Sequence, residues 1–520
     1  MLHADILAER ARLTPDRTAL VYVPTGGRFS YGELDRRTSA LASRWRELGL
    51  SKGDRVGILA SSRPEYLEAF FAAARTGTVL VPLNPRLTAH ELDYIVRDAA
   101  CRALLYDRST LETARALQPA IELSLRLDNQ DAVIPSSESG LPLAGRDRGP
   151  QHARFSRAGV GVEGPCVSPE DTLCLLYTSG TTGKPKGVII PHRMVAWNAF
   201  NTVVSWQLRD TDISPIFTPL YHAGGLAVSL TAMFLIGGTV ILHEHFDASE
   251  VLRTIAAERC TIMFGVPTTF KMLMEAPEFP TTDLGSLRWC ISGGAPLPLY
   301  IIETWQKRGI VFKQGYGLTE VGVNCFAMTT EESMRKAGSI GKPMMFTEAR
   351  VVTHDGDAVN DEIGELWLRG PHVCKGYWNN PEATAAALDA DGWFHTGDLA
   401  RRDAEGFFYI AGRLKDMMIS GGANVYPAEI EAELLQHPAL RDAAVIGVPH
   451  ETWGEVGVAY VVARAPVTAE ELTAFLAPRL AKYKIPKEFV FIAELPRSAY
   501  GKVVKPELRK QWDQRKAAGA

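Results

Sequence analysis

Between two apolar runs, residues 173–176 and 188–190, the chain reads Tyr177-Thr178-Ser179-Gly180-Thr181-Thr182-Gly183-Lys184-Pro185-Lys186-Gly187. Short apolar runs bounded by such residues read as buried strands, so the segment between them is a loop held at both ends. Its glycines let the backbone approach a ligand and aim N–H groups at it, its hydroxyls add donors, and Lys184 and Lys186 add positive charge. Polyphosphate is the ligand chemistry that this combination matches. A Walker A loop is excluded, because that motif needs glycine where Thr178 stands and a hydroxyl residue where Pro185 stands. The competing reading, a solvated linker, fits poorly with a clamp between two strands.

Around the loop, strand and helix patterns alternate. Ser30 and Glu33 form a capping-box signal that opens a helix. Leu34, Leu41, Trp45 and Leu48 share its apolar face and Gly49 ends it. Residues 55–60, 79–82 and 103–106 read as strands, with a helix starting at Pro64. Asp247 caps a predicted helix over 248–258 with Glu250 as its capping-box partner, 261–265 is a strand, and 268–274 a helix. Such alternation predicts parallel sheets covered by helices. Gly293-Gly294-Ala295-Pro296 and Gly315-Tyr316-Gly317-Leu318-Thr319-Glu320 each follow a strand, and ligands gather at strand carboxyl ends in α/β sheets. Residues 129–170 dissolve into a predicted surface loop. A glycine-rich, β-rich stretch covers 364–408. Beyond Arg413 come a helix over 428–435, strands over 443–448 and 458–462, and a helix over 469–480.

The expected architecture is therefore α/β: a large N-terminal domain, 1–413, of helix-covered, mostly parallel sheets with a β-rich subdomain, and a small α+β domain, 414–520. At 520 residues the chain exceeds what one core holds. A net charge of −4 gives no electrostatic case for nucleic acid or an anionic membrane as partner. Seven scattered cysteines without a C-x-x-C pair argue for a reducing compartment and against disulfide or zinc frameworks. Residues 224–242 carry no charge over a membrane-spanning length, but Gly237-Gly238 interrupts them, so a buried helix, a turn and a strand are expected. The charged N-terminus has no signal-peptide core, and the expected location is cytoplasmic.

Five segments, in order, resemble the adenylate-forming superfamily of acyl- and aryl-CoA synthetases, amino-acid-adenylating domains and firefly-type luciferases. They are the loop at 177–187, Gly315 to Glu320, His395-Thr396-Gly397-Asp398, Gly412-Arg413-Leu414-Lys415-Asp416, and Arg497-Ser498-Ala499-Tyr500-Gly501-Lys502. The resemblance implies that a carboxylate and ATP form an acyl-adenylate and pyrophosphate, after which the CoA thiol yields a thioester and AMP. It implies ATP, Mg²⁺ and coenzyme A as cofactors or co-substrates, and it allows a homodimer. By the same resemblance Lys502 is the adenylation lysine, Glu320 holds Mg²⁺, and Thr319 contacts the α-phosphate. Asp398 and Arg413 take the ribose hydroxyls, while Gly293, Gly294, Ala295 and Tyr316 wall the adenine, with Tyr316 stacking on it and Gly317 also at the nucleotide. A rotation of the C-terminal domain about Lys415 would withdraw Lys502 and bring Gly421 and Gly422 over a pantetheine channel, with Trp453 and Tyr483 toward CoA.

His222 resembles the gate between acyl pocket and thiol channel, and Gly224, Gly225, Leu226, Val266, Thr268 and Val323 would line the pocket. These are small or apolar, with no acid to pair an amino group, so an amino-acid substrate is disfavoured. Tyr426-Pro427-Ala428-Glu429 and Arg335-Lys336-Ala337-Gly338-Ser339 resemble the bacterial fatty-acyl-CoA synthetase branch, which predicts a medium- or long-chain fatty acid. An aryl acid, a carrier-protein acceptor and a luciferase-like fate of the adenylate stay open. A catalytically dead homologue is disfavoured, because Lys502, Glu320 and Asp398 are all present.

Overall fold

A computed structural model describes residues 4–128, 133–135, 167–178, 185–295, 297–420, 423–497 and 503–517. Parallel strands require crossovers, and the alternating pattern supplies them as helices. The largest sheet runs, in spatial order, Val133–Pro135, Leu123–Arg126, Cys101–Tyr106, Arg55–Leu59, Val79–Pro82, Thr172–Thr178 and Lys186–Pro191. Its inner pairs are parallel and its two outer pairs antiparallel. A second sheet joins Ile213–Ile216, Thr239–Leu242, Thr18–Tyr22 and Gly27–Ser30, parallel except for its terminal hairpin. A third, Ile262–Gly265, Trp289–Ser292 and Phe312–Gln314, is parallel throughout. An antiparallel sheet follows: Gly356–Asp357, Glu348–Thr353, Gly364–Arg369, Phe394–Arg402 and Phe408–Arg413.

After the short 3₁₀ turn Leu414–Asp416 the chain builds a separate sheet from Ala423–Val425, Met418–Ser420, Gly454–Ala463 and Leu440–His450. Glu488–Phe491 lies parallel to Gly454–Ala463. Alternation along Leu440–His450 sorts its side chains onto two faces, as the two-residue strand period requires. Ala443 and Val445 pack with Ile430 and Leu472, from helices Pro427–Leu434 and Ala469–Leu476. Ala444, Ile446 and Val448 pack with Leu508 and Trp512 of helix Lys505–Ala517.

Local signals act as expected in most places. Half of the Ser30–Glu33 capping box forms: Ser30 Oγ accepts the Glu33 N–H at 3.2 Å and starts helix Tyr31–Glu47, without the reciprocal bond to the Glu33 carboxylate. The uncharged stretch at 224–242 is interior: Ala223–Gly225, a π-helical turn Leu226–Leu230, helix Thr231–Ile236, Gly237 at φ +80°, and strand Thr239–Leu242. No helix among the described residues is long and apolar enough to cross a membrane.

Three expectations change. Asp247 does cap helix Ala248–Ala257, but the Glu250 carboxylate lies 3.0 Å from His243 Nδ1 instead of turning back to the cap. A fully buried imidazole needs a partner, and that need wins. The helix predicted to reach 480 stops at Leu476, because Pro478 offers no N–H and restricts the residue before it. The loop predicted over 129–170 contains strand Val133–Pro135, and apart from that strand and 167–170 it lies outside the described residues.

The turn leading into the π-helical segment has no spare space. A Cβ at Gly225 would overlap the backbone carbonyls of Thr218 and Pro219. Gly225→Ala is expected to lower stability by about 1–3 kcal/mol, the scale of overpacking in a close-packed site. Urea unfolding checks this, and wild-type stability would mean that the turn relaxes.

Candidate active site

The three parallel strands Ile262–Gly265, Trp289–Ser292 and Phe312–Gln314 reach their carboxyl ends on Gly265, Gly293 and Gly315. The Gly293 N–H donates to Gly265 O at 3.1 Å, and the Gly315 N–H to Ser292 O at 2.7 Å. The edge of the Phe264 ring fills the space beside Gly293, with a Cβ position there only 3.2 Å away, and it also faces Gly224 at 3.7 Å. Side chains larger than hydrogen would close this floor.

From Gly315 the chain enters the loop 315–320, which folds back on itself. The Cys325 N–H donates to Tyr316 O at 3.0 Å, and a Cβ at Gly317 would overlap the Val323 carbonyl. At one end of the loop the Tyr316 hydroxyl donates to Asp398 Oδ2 at 2.6 Å, and Arg413 Nε lies 3.0 Å from Asp398 Oδ1. Asp398 and Arg413 are register partners across adjacent antiparallel strands, which sets their spacing. Burial, followed by the charge of Asp398, holds the Tyr316 phenol well above its ordinary pKa, so it remains a donor.

At the other end Thr319, Glu320 and Val321 form a 3₁₀ turn. Glu320 Oε1 accepts the Tyr377 hydroxyl at 3.2 Å, and the Lys186 ammonium sits over the Tyr377 ring, 5.2 Å from its centre. Lys186 pairs with Thr178 at the loop end of the hairpin formed by Thr172–Thr178 and Lys186–Pro191. The Tyr177 hydroxyl anchors that end to Asp98 at 2.5 Å.

Thr319 also borders an apolar cavity that opens to solvent. Phe70, Leu176, Met194, Leu226 and Val323 are among its apolar walls, and Asn198 is its one amide side chain. That amide is already used: Nδ2 donates to Ala227 O at 3.1 Å and Oδ1 accepts the Asn324 N–H at 3.3 Å. No Asp, Glu, Lys, Arg or His lines this cavity among the described residues.

The described residues contain no cluster of three or more His, Cys, Asp or Glu able to hold a metal ion. A divalent cation here would take one carboxylate, Glu320, and draw its other oxygens from a bound phosphate and water. That donor set fits magnesium, which binds through one or two carboxylates plus substrate phosphates.

Residues 7–378 match the family model described as AMP-binding enzyme, and residues 429–502 match the AMP-binding enzyme C-terminal domain. The chain belongs to the AMP-binding enzymes. It is 40% identical to a feruloyl-CoA synthase of an Amycolatopsis species over 506 residues, covering 97% of each chain. Against the long-chain-fatty-acid–CoA ligase FadD13 of Mycobacterium tuberculosis it is 36% identical over 512 residues, covering 98% of each. Its fold is similar to that of the o-succinylbenzoate CoA synthetase of Bacillus subtilis, solved with ATP and a magnesium ion: TM-score 0.83, 33% identity, covering 97% of this chain and 99% of that one.

In this AMP-binding enzyme the geometry gathers Thr178, Lys186, Tyr316, Gly317, Thr319, Glu320, Asp398 and Arg413 around the loop 315–320 and the hairpin beside it. Gly293 forms the floor, while Gly294 and Ala295 are exposed at its edge. Leu226 and Val323 line the cavity as expected. Four residues expected in the pocket stand elsewhere. Thr268 is exposed on the first turn of helix Pro267–Glu275, and Gly225 is buried under two carbonyls. Gly224 and Val266 lie nearer Phe264 and Gly294. The half-buried His222 caps Ala223–Gly225, its Nδ1 accepting the Gly224 N–H at 3.0 Å, which leaves the neutral ring's proton on Nε2.

Trp453 and Tyr483 are each 37% exposed, so neither is a core residue, and the Lys487 ammonium lies 5.4 Å above the Trp453 ring. Lys415 is exposed in the 3₁₀ turn between the two last sheets. Ser179, Gly180, Thr181, Thr182, Gly183, Lys184, Gly421, Gly422 and Lys502 lie outside the described residues.

Sequence reasoning missed Phe264, Asn198 and Tyr377. Phe264 reads as an ordinary strand residue, and Asn198 as one polar residue in a helix. Tyr377 carries a faint signal, since it follows Gly376 and precedes the helix start at Asn380-Pro381.

Removing the acceptor at Asp398 should be felt twice. Asp398→Ala leaves the Tyr316 hydroxyl without that acceptor, at a cost of about 1–3 kcal/mol in urea unfolding. It should also weaken ATP binding measured by calorimetry, whereas unchanged ATP affinity would remove Asp398 from the nucleotide site.

Proposed function

We propose that this AMP-forming acid–thiol ligase activates a monocarboxylic acid with a wholly apolar body, a medium- or long-chain fatty acid, and passes the acyl group to coenzyme A. The observation that carries the substrate reading is the apolar cavity ending at Thr319. A second carboxylate, an ammonium or a hydroxyl buried there would lack a charged partner and would lose its hydration uncompensated. A second reading, an aryl acid, is favoured by the 40% identity to a feruloyl-CoA synthase. An aromatic ring would suit the same walls.

On this reading the nucleotide lies along the loop 315–320. Its ribose hydroxyls face Asp398 and Arg413, its adenine lies by Gly293, Gly294, Ala295 and Tyr316, and its phosphates reach toward Thr178 and Lys186. A magnesium ion held by Glu320 would neutralise phosphate charge. The acid's tail fills the cavity, and its carboxylate emerges beside Thr319, where the hydroxyl can donate to the α-phosphate. A carboxylate oxygen attacks the α-phosphorus and pyrophosphate leaves. Two anions meet in that step, so directed positive charge is the main requirement, and Lys502 supplies it from the C-terminal domain. The domain, taken as 414–520, then turns about Lys415. The thiol attacks the acyl carbonyl past His222, and AMP leaves.

Two measurements test this. Pyrophosphate exchange with octanoate, decanoate, palmitate, benzoate, cinnamate and ferulate should give the highest kcat/KM with an alkanoate, and a preference for ferulate would replace the fatty-acid reading with the aryl one. Lys502→Ala should slow pyrophosphate exchange by about a hundredfold, the scale for losing one directed transition-state charge. Its effect on thioester formation from synthetic acyl-adenylate should be much smaller, and equal losses would rule out the two-position scheme.

A further inference from the structure

We propose that Tyr377 is a positioning residue that sets the spacing between Glu320 and Lys186, its hydroxyl fixing the carboxylate and its ring the ammonium. The inference rests on the reading of Glu320 as the metal-holding acid. One side chain touches both groups, 3.2 Å from the carboxylate oxygen and 5.2 Å, ring centre to ammonium, from the lysine. The two belong to different elements, Glu320 to a 3₁₀ turn after the three-stranded sheet and Lys186 to the edge of the largest sheet.

The segment carrying Tyr377 is itself immobilised. It runs along strand Lys186–Pro191 as an added strand. The Ile189 N–H donates to Gly376 O at 2.9 Å, the Lys375 N–H to Ile189 O at 3.1 Å, and the Trp378 N–H to Gly187 O at 2.7 Å. Val188 and Tyr377 are bridge partners. On the other side the Cys374 N–H donates to the backbone carbonyl of Glu320 at 2.8 Å. The Tyr377 N–H donates to Thr384 Oγ1 at 2.9 Å. Gly376, at φ +105°, lies against Thr384 where no Cβ fits. Trp378 Nε1–H donates to the carbonyl of Asp98, whose carboxylate accepts the Tyr177 hydroxyl.

A carboxylate aimed by a fixed donor before the ligand arrives loses less freedom on binding, which is how partners of a metal ligand raise affinity. The face of the ring attracts the ammonium, so the side chain that meets the carboxylate also holds the lysine.

Tyr377→Phe keeps the ring and removes the hydroxyl. Mn²⁺ affinity is read by electron paramagnetic resonance with an α,β-methylene ATP analogue bound, and analogue affinity in EDTA by calorimetry. The expected result is an Mn²⁺ dissociation constant raised about tenfold, the lower end for losing a hydrogen bond to a metal ligand, with analogue affinity in EDTA retained. Glu320→Gln is measured alongside. If Glu320→Gln binds Mn²⁺ normally, the metal reading of Glu320 fails. If Glu320→Gln weakens Mn²⁺ and Tyr377→Phe does not, the positioning role alone is overturned. Tyr377→Leu, which also takes the ring from under Lys186, should weaken the analogue in EDTA, and wild-type affinity there would overturn the lysine half of the proposal.

Discussion

The 2.6 Å hydrogen bond from Tyr316 to Asp398 joins two sheets that the chain builds separately. Tyr316 leaves the end of a parallel sheet, and Asp398 sits in the middle of an antiparallel one. A buried carboxylate is costly unless its oxygens are met by donors, and here the second oxygen is met by Arg413 across the same antiparallel pair. The bond therefore orients the acid and locks the loop 315–320 between the sheets. The other contacts of that loop, to Tyr377 and to the cavity, are meaningful only because its path is fixed.

The consequence is a separation of polar from apolar work over a few residues. Tyr316, Thr319 and Glu320 face an Asp398–Arg413 pair, a cavity mouth and a Tyr377–Lys186 pair in turn. The cavity behind Thr319 takes its walls from strands and helices of the largest sheet and from the π-helical turn Leu226–Leu230.

How much of this was legible beforehand follows from how local each signal is. Glycines at strand ends, caps such as Ser30, and the lysine-bearing loop are written in neighbouring residues, so the fold class could be read directly, whereas Thr319, Glu320, Asp398 and Arg413 were singled out only by resemblance to a family. Glu250 misled because its partner, His243, lies on another element and only burial makes the pairing compulsory. Phe264 had no signal and Tyr377 only a faint one for a related reason. Each matters through what it touches across the fold, glycines in one case and a carboxylate and a lysine in the other. Thr268 is exposed rather than in the cavity wall because Pro267 starts a helix at that point.

The C-terminal sheet is covered on both faces by its own helices. Leu472 and Leu476 close one side, and Leu508 and Trp512 the other. Its ion pairs Lys484–Glu429, Lys505–Glu431 and Arg497–Asp442 are likewise internal. A unit that buries its own core can shift as a body, because turning it exposes little apolar surface. Toward the antiparallel sheet it brings helix Pro427–Leu434 against strand Phe408–Arg413, the strand that runs into the exposed turn at Lys415. A pivot there would move the whole unit while leaving Asp398 and Arg413 in register, so the nucleotide contacts proposed for them could persist while the group offered from the C-terminal side changes.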